Sequence, residues 1–405
     1  MNKTLLLIGA SAESYEGINI AKHMGLKTIV ADGNPNAVGL ALADYKIIAS
    51  IYDGPAILAA VKTLQQQGIH IDGVIAMCAD VPETVAMLTN ALQLPGLNLE
   101  TARLVADKLA MKDRLKAADI PIPLYCAIDQ HVNVDQLIAR LNLPLIIKPV
   151  DSRGARGVQL IDKPDDILPA INIAEQESPS GRAMAEEYLA GPQVSTETLI
   201  EHGKAYTIGF SDRNYEWLEK TKPFFIENGG DIPSHLNSDI QKKIISVVEK
   251  AALALGIENG VAKGDMVWTE RGAKVIEIAG RLSGGYFSTT QIPLATGVPF
   301  VEQAIKLALG EPMEKNTLSN TTHRGAAIRY LSLKPGKIKH IFGVNEAKQM
   351  AGVALLNMLV KEGDEIINVT NHAQRSGLVI CSGESKQQAV ERAENALSKI
   401  SIIYE

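Results

Sequence analysis

The 405-residue sequence has few cysteines, no long apolar run and no basic stripe, and each shortage argues against a class of protein. Its three cysteines, Cys78, Cys126 and Cys381, match no metal-site or disulfide spacing, which favours a reducing compartment. The opening apolar run is too short for a signal peptide, and no run approaches the roughly 18 residues that span a bilayer. A net charge of −6 without a basic stripe argues against nucleic-acid binding. We therefore expect a cytoplasmic protein with no membrane or nucleic-acid partner.

The first hundred residues alternate between strand and helix patterns. Strands are predicted at Thr4 to Ile8, Lys27 to Ala31 and Gly73 to Ala76, with a helix ending near Met24. This order predicts a parallel sheet covered by helices on both faces. Asp32 follows the second strand, where a dehydrogenase would contact a ribose, but the glycine fingerprint is absent; a simple turn is the alternative.

Acidic residues follow the strand Gly73 to Ala76 at its carboxyl end, the side where open α/β sheets bind ligands. Asp80 could cap the next helix. Glu83 lies in the first turn of that helix, where it either complements the helix dipole or contacts a ligand.

A lysine within an apolar strand, Leu143 to Val150, comes immediately before a glycine- and arginine-rich loop. Lys148 must either extend toward solvent or meet an anion. The loop, residues 151–157, contains Ser152, Arg153, Gly154 and Gly157. Glycines let backbone N–H groups approach an anion and arginines neutralise its charge, so the segment predicts a phosphate cradle. A plain hairpin turn is the alternative.

Acidic residues also mark the next pair of predicted strands, Ala183 to Leu189 and the segment after it. Glu186, Glu187 and Glu197 are candidates for contacts with an adenine and a ribose. Charged strand edges are common for other reasons, which leaves both interpretations open.

The segment from Gly260 to Gly285 predicts a hairpin that carries two carboxylates. Folding it about a three-residue loop at Arg271 places Asp265 opposite Glu277. Like charges on cross-strand neighbours repel, so a cation is expected between them, and oxygen ligands of this kind suit Mg²⁺ with phosphate oxygens. A solvated hairpin is the alternative.

The exit from this hairpin supplies one fixed cation and open backbone. Arg281 could hold a phosphate or a carboxylate, and Ser283, Gly284 and Gly285 follow it. Tyr286, Phe287 and Trp217 either line a pocket nearby or belong to the core.

The remaining patterns are regular. Helices are predicted at Asp239 to Leu255 and Phe300 to Leu309. From about Thr317 an α+β module is expected, with strands at Gly325 to Leu331, Val353 to Leu359 and Gly377 to Ser382, and a closing helix at Ser385 to Ser398.

Taken in order, these motifs resemble the ATP-grasp superfamily over the whole chain, and most closely its carboxylate-amine ligases of the L-amino acid ligase type. The resemblance rests on Lys108 before a lysine-rich helix, on Lys148 and its loop, and on GDMVW twelve residues before EIAGR. It implies a Rossmann-like pre-ATP-grasp domain (1–106), an ATP-grasp domain (107–312) with a mobile lid at about 120–185, and a small α+β domain (313–405).

The resemblance also implies roles for the candidate residues. Lys108, Lys148 and the lid loop would hold the phosphates of ATP, while Glu186, Glu187, Tyr188 and Leu189 would hold adenine and Glu197 the ribose. Asp265 and Glu277 would bind one or two Mg²⁺ ions, for which Mn²⁺ could substitute. Arg281, Glu83 and residues 283–285 would face the carboxylate and amine substrates, with catalytic roles for Arg281 and Lys148. A homodimer is a further implication.

One position departs from the family pattern. Many relatives carry Asn two residues after the second metal carboxylate, and this sequence has Ala279 there. Because alanine cannot bind a metal, the number of ions stays open. The implied activity is amide formation through an acyl phosphate, with release of ADP and phosphate. A carboxylase or formate-dependent transformylase, and a nucleotide-binding protein without turnover, are the alternatives.

Overall fold

A computed structural model of the chain describes residues 3–405. The N-terminal part is a parallel sheet of order β3-β2-β1-β4, as the alternating pattern predicts. Apolar residues from all four strands are buried, so helices cover both faces. The elements are β1 (Thr4–Ile8), α1 (Ala12–His23), β2 (Lys27–Asp32), β3 (Tyr45–Ile48), α2 (Gly54–Gln66), β4 (Gly73–Ala76), α3 (Pro82–Leu92) and α4 (Leu99–Ala106).

A second unit is built on an antiparallel sheet of order β5-β8-β6-β7, with its own buried core. Lys148 lies near the end of β6, and the glycine-rich loop connects β6 to β7. This unit occupies the segment predicted as the lid, and we refer to it by that name. Its elements, after α5 (Lys108–Ala117), are β5 (Tyr125–Ile128), α6 (Val134–Leu141), β6 (Leu145–Pro149), β7 (Gln159–Ile161), α7 (Ile167–Gln176) and β8 (Ala183–Glu187).

The largest sheet has eight strands in the order β13-β12-β9-β10-β11-β14-β18-β16. Its first five strands come from the middle of the chain and pack on α9 and α11. The elements of this part are β9 (Gln193–Glu201), β10 (Lys204–Asn214), α8 (Leu218–Thr221), β11 (Gly229–Ile232), α9 (Ser238–Ala254), β12 (Gly260–Thr269), β13 (Gly272–Ala279), α10 (Ile292–Thr296) and α11 (Phe300–Ala308).

Three of the C-terminal strands, β14, β18 and β16, continue the large sheet. β14 pairs with β11 and with β18, so hydrogen bonds run without a break from the middle of the chain into its last quarter. A small sheet, β17-β15-β19, lies beside it. The elements are β14 (Gly325–Leu331), β15 (Gly336–Phe342), α12 (Val344–Lys348), β16 (Val353–Met358), β17 (Glu365–Ile366), β18 (Gly377–Gly383), α13 (Lys386–Leu397) and β19 (Ser401–Tyr404).

The β12–β13 hairpin has the predicted cross-strand pair and a different turn. Thr269 pairs with Gly272, so the loop contains two residues rather than three. Asp265 nevertheless faces Glu277, because a bulge at Ile276 adds one residue to β13 and restores the pairing. The prediction of opposed carboxylates therefore holds, through a bulge that the alternating pattern did not reveal.

No helix within residues 3–405 is long and apolar enough to cross a membrane.

Candidate active site

A cleft of about 510 Å³ lies where the four parts of the chain meet. Its wall combines loops of the N-terminal sheet, the lid, the β12–β13 hairpin and the C-terminal strands. Residues that represent these parts are Glu13, Asp80, Lys148, Arg153, Asp265, Glu277, Arg281, Tyr330 and Arg375. The fold thus brings most of the predicted site residues into one cavity, although they are spread over about 180 positions from Lys108 to Gly285.

One end of the cleft is the segment predicted to hold adenine. Glu186, Glu187, Tyr188 and Leu189 all line it. Glu187 pairs with Arg271 and accepts a hydrogen bond from the Leu124 N–H, so its carboxylate already has partners. The backbone and the apolar side chains of residues 186–189 are therefore the groups available to contact a flat ring.

A buried cluster of charges supports this end. Lys148 Nζ lies 2.9 Å from Glu186 Oε1, and Lys112 Nζ lies 3.0 Å from the same oxygen. Burial opposes ionisation of Glu186, yet the two ammonium groups hold its pKa below the ordinary value. The Lys148 side chain is therefore held at the cleft wall by its ion pair with a neighbouring carboxylate.

Lys112 is the member of this cluster that the sequence interpretation missed. Its ammonium is buried and donates to the carbonyl oxygen of Ile276 at 2.9 Å, the residue of the β-bulge. Burial lowers the pKa of Lys112 to about 8, although Glu186 opposes that shift. The i,i+4 spacing from Lys108 on α5 was an available signal, since it places both lysines on one face of the helix.

The lid loop covers the cleft and contacts two other parts of the chain. Ser152, Arg153 and Gly154 line the cavity, and the guanidinium of Arg153 lies 4.9 Å from the centre of the Tyr52 ring. The Gly154 carbonyl accepts a hydrogen bond from the His372 N–H at 2.9 Å. The loop is thus held over the cleft by one contact from each side.

Gly157 differs from the rest of the loop because it does not line the cleft. Its φ is +68°, and a Cβ at this position would lie 2.9 Å from Pro149. Its place indicates a turn packed on the lid sheet rather than the phosphate contact predicted for it.

Lys108 connects the lid loop to the hairpin. Its ammonium donates to the carbonyl of Ser152 at 2.8 Å and lies 3.5 Å from Glu277 Oε1. It therefore stands between the phosphate-binding candidate and one of the two predicted metal carboxylates.

The two hairpin carboxylates line the cleft and are balanced by side-chain cations. Arg213 Nη1 lies 2.8 Å from Asp265 Oδ1, and Lys263 pairs with the other oxygen of Asp265. Burial opposes ionisation, yet Arg213 and Lys263 hold the pKa of Asp265 well below its usual range. Arg213 and Lys263 were not predicted, because nothing in their local sequence marks them.

This arrangement can be tested against the ion that the family pattern implies. No group of three or more acidic, histidine or cysteine side chains suited to a metal occurs in residues 3–405. Ala279 lines the cleft with only a methyl group. The protein therefore offers two ligands, the facing carboxylates of Asp265 and Glu277. This fits Mg²⁺ that is held by two protein ligands together with phosphate oxygens and water.

Arg281 leaves β13 and meets the N-terminal sheet. Its Nη2 lies 3.2 Å from Asp80 Oδ2, and burial is outweighed by the attraction of Arg281 for Asp80, which keeps the pKa of Asp80 low. Asp80 does not cap a helix, since α3 begins after Val81 without a side-chain cap. The alternative considered for Asp80 is therefore wrong, and its carboxylate belongs to the cleft.

The placement of Glu83 contradicts its predicted substrate contact. Its side chain is exposed in the first turn of α3 and does not line the cleft. The turn after β4 instead directs Asp80, which lies three residues before Glu83, into the cleft.

Glu197 is likewise misplaced for the ribose contact predicted from its sequence. It is fully buried and accepts hydrogen bonds from the Ser283 N–H and the Ser288 hydroxyl. Burial raises the pKa of Glu197 to about 7, and the hydrogen bonds from Ser283 and Ser288 and the charge of Arg281 oppose that shift only in part. Gln193, the first residue of the same strand, lines the cleft, whereas Glu197 does not.

The Ser283-Gly284-Gly285 segment forms the wall beyond Arg281. Gly285 donates its N–H to Glu13 Oε2 at 3.2 Å and has a φ of +66°. A Cβ at Gly285 would lie 2.8 Å from the Tyr330 hydroxyl, so this position requires glycine.

The remaining candidates divide between core and wall. Phe287 lines the cleft and is buried, and Tyr286 is buried with its hydroxyl accepting from Asn357. Trp217 packs against the core cluster that includes Tyr286. Asp32 accepts from the Ala10 and Asn34 N–H groups, which supports its turn role.

Comparison with known proteins agrees with these features. The sequence pattern of the ATP-grasp domain matches residues 105–285, and that of the L-amino acid ligase C-terminal domain 2 matches residues 329–405. Residues 105–285 of the chain therefore form an ATP-grasp domain. More particularly, its last domain is of the type found in L-amino acid ligases.

Similar proteins extend over nearly the whole chain. An uncharacterized Sinorhizobium fredii protein, y4rH, is 26% identical and covers 100% of this chain and 85% of its own. The L-arginine-specific L-amino acid ligase of Bacillus subtilis is 22% identical over 78% of this chain and 77% of its own. The crystal structure of an L-amino acid ligase from Bacillus licheniformis superposes with a TM-score of 0.85, at 22% identity, over 100% and 99% of the two chains. This likeness shows the shared fold.

Proposed function

We propose that the protein is an ATP-dependent ligase that joins a carboxylate to an amine through an acyl phosphate. The observation that carries this proposal is the Asp80–Arg281 ion pair, which lies in the same cleft as Glu277, four residues before Arg281. A guanidinium beside the phosphate-binding candidates suits a carboxylate that attacks a phosphate.

The nucleotide would lie between the lid and the large sheet. Residues 186–189 would contact adenine, Gln193 is placed to contact the ribose, and Lys108, Lys148 and the Ser152–Gly154 loop would contact the phosphates. Asp265 and Glu277 would hold Mg²⁺, which when bound neutralises charge on phosphate oxygens. Arg213 and Lys263 pair with Asp265, and Lys108 pairs with Glu277.

The first step would form the activated acid. A carboxylate oxygen, held by Arg281, attacks the γ-phosphorus of ATP; a new O–P bond forms as the bond to the bridging oxygen breaks, and ADP leaves. Lys148 and Arg153 would stabilise the charge on the transferred phosphoryl group. When Arg281 binds the carboxylate of the acid, its ion pair with Asp80 would break. Asp80 would then be free to bind an ammonium group on the same acid.

The second step would form the amide. A neutral amine attacks the acyl carbon, the C–N bond forms, and the C–O bond breaks with its electron pair leaving on phosphate, while the nitrogen gives up a proton. An acyl phosphate is readily hydrolysed, so water must be kept out. The contacts of the lid loop with Tyr52 and His372 are suited to that purpose.

Two alternatives of a different kind share the same cleft. A carboxylase or formate-dependent transformylase would activate bicarbonate or formate, and a binding protein would hold ATP without turnover. The Asp80–Arg281 pair favours a larger acid that also carries an ammonium, since bicarbonate and formate offer nothing for Asp80. A homodimer and a cytoplasmic location stay proposals that rest on the resemblance.

The test is phosphate release from Mg-ATP with amino acids singly and in pairs, with bicarbonate and formate in separate reactions and products identified by mass spectrometry. We expect phosphate and an amide product with particular pairs. Glu277→Gln should abolish release, while Glu270→Gln, an exposed change in the same hairpin, should not. Release that depends on bicarbonate or formate alone, or ATP binding without release under any condition, would overturn the proposal.

A further inference from the structure

Arg375 is a cation of the cleft that the proposed reaction has not used. It comes from the C-terminal part of the chain and stacks on Tyr330, with 3.4 Å from its guanidinium carbon to the ring centre. Its Nε and Nη1 donate to the carbonyls of His372 and Glu227. A guanidinium has five N–H donors, so three are left over. Within residues 3–405 no carboxylate lies at ion-pair distance from it.

Glu13 is the matching anion. It lies in α1, lines the cleft and accepts a hydrogen bond from the Gly285 N–H at 3.2 Å. Among the described residues no lysine, arginine or histidine forms an ion pair with it. The acidic side chains of the phosphate end differ, because Glu186, Asp265 and Glu277 each have a cation within 4 Å.

Tyr330 and two glycines connect these unpaired charges. The Tyr330 hydroxyl lies beside Gly285, whose N–H holds Glu13, and the face of the Tyr330 ring carries Arg375. The position of a Cβ at Gly284 is 3.0 Å from Glu13 Oε2, so the wall here is open backbone. A small molecule could therefore reach both charges from within the cleft.

We propose that Arg375 and Glu13 select the amine substrate: Arg375 binds its own carboxylate, and Glu13 binds its ammonium and accepts the proton whose loss leaves the neutral amine that attacks. This inference rests on the proposed function, and it assigns the second substrate to amines that carry a free carboxylate. The ion pair of Asp80 and Arg281 serves the acid that is activated, whereas Glu13 and Arg375 hold the amine that attacks it. The product would keep a free carboxylate beside Arg375.

The experiment separates the two substrates. Hydroxylamine is a small nucleophile without a carboxylate and converts an acyl phosphate into a hydroxamate. The probes are hydroxylamine, a panel of L-amino acids and the corresponding amino acid amides, each offered as the amine with Mg-ATP and the activated acid. The readout is the ratio of kcat/KM for an amino acid to that for its amide.

We expect the wild-type protein to prefer the amino acid over its amide. Arg375→Met should reduce that preference about 10- to 100-fold, the range for a lost hydrogen bond to a charged group. Arg375→Lys, which keeps the charge, should restore part of it. Glu13→Gln should raise KM for amino acid and amide alike, because both carry the ammonium, and should leave their ratio unchanged. Arg324→Met and Glu384→Gln, both exposed and outside the cleft, are the matched controls.

Each result decides a different point. A wild-type protein that forms no hydroxamate with any acid overturns the proposed function and this inference with it. Hydroxamate formation with equal use of amino acids and amides overturns the inference alone. An Arg375→Met protein that loses amino acid, amide and hydroxylamine activity by the same factor assigns Arg375 to holding His372 and the lid loop, and also overturns it.

Discussion

Asp80 and Arg281 form an ion pair 3.2 Å long between the N-terminal sheet and the strand that carries Glu277. The two charges match the ammonium and carboxylate of an amino acid. Under the proposed function, a bound substrate would therefore replace one half-buried ion pair by two.

The first prediction compares Asp80 with Glu83. Asp80→Asn should raise KM for the activated amino acid about tenfold or more, because the ammonium loses a charged partner, and KM for ATP should change little. Glu83→Gln is the control, since its side chain is exposed on the outside of α3. Steady-state kinetics of both variants checks this, and a Glu83→Gln effect as large as that of Asp80→Asn would restore the original assignment.

The second prediction concerns Lys112. It binds Glu186 and the carbonyl of Ile276, the bulge residue that places Glu277 opposite Asp265. Lys112→Met should lower the free energy of unfolding by about 3 kcal/mol, because a buried carboxylate loses one of its two cations. ATP affinity should fall as well, because Lys148 shares Glu186.

Chemical denaturation and ATP titration measure these effects. Lys116→Met, an exposed change on the same helix, is the matched control. A Lys112→Met protein with wild-type stability and affinity would show that the bulge does not depend on this lysine.

The third prediction is a pH dependence of stability. Burial raises the pKa of Glu197 from 4.5 to about 7, so the folded state favours the protonated carboxyl. The contribution of this group is complete below about pH 4.5 and is lost as the pH rises through about 7. Its size is about 3 kcal/mol, from 1.36 kcal/mol per pKa unit.

Thermal unfolding between pH 4.5 and 8 tests this point. Glu197→Gln should gain stability relative to wild type as the pH rises, because the amide cannot ionise. Glu258→Gln, which is exposed, should follow the wild-type curve. Parallel curves of stability against pH for wild type and Glu197→Gln would mean that burial does not raise the pKa of Glu197.

The fourth prediction addresses the lid loop. Tyr52→Ala removes the ring under Arg153, a contact of about 0.5–1 kcal/mol at an exposed site. Hydrogen exchange in residues 152–158 should become about two- to fivefold faster without ATP. Tyr52→Phe keeps the ring and should exchange like wild type. Unchanged exchange in Tyr52→Ala would leave the His372 N–H as the contact that holds the loop.

Sequence patterns predicted what depends on local order. The charges of residues 260–285 predicted that Asp265 faces Glu277, although the loop is one residue shorter than predicted and a bulge restores the pairing. The apolar run around Lys148 predicted the strand of the lid. The same local logic failed where a turn decides the direction of a side chain. Glu83 and Glu197 have suitable chemistry at suitable spacings, yet one faces solvent and the other is buried beneath Ser283.

Long-range partners could not be predicted at all. Arg213, Lys263 and Arg375 lie in strands or loops with no local signal, and they meet the cleft only because the large sheet places their segments together. Glu13 is one of the acidic residues of α1, and only the structure shows that no cation among residues 3–405 pairs with it. The domain bounds remain a prediction. Pairing between β11 and β14 crosses the bound predicted at residue 312.

That pairing limits how this protein can be cut or recombined. A chain that ended before β14 would leave the backbone of Gly229–Ile232 as a bare sheet edge, open to association with other molecules. Exchange of the last ninety or so residues with a relative would have to preserve the partner strand as well as the cleft residues. The segment that carries Arg375 thus depends on the large sheet for its position, and under the proposed function a change of acceptor would be made by point substitution more readily than by transfer of a module.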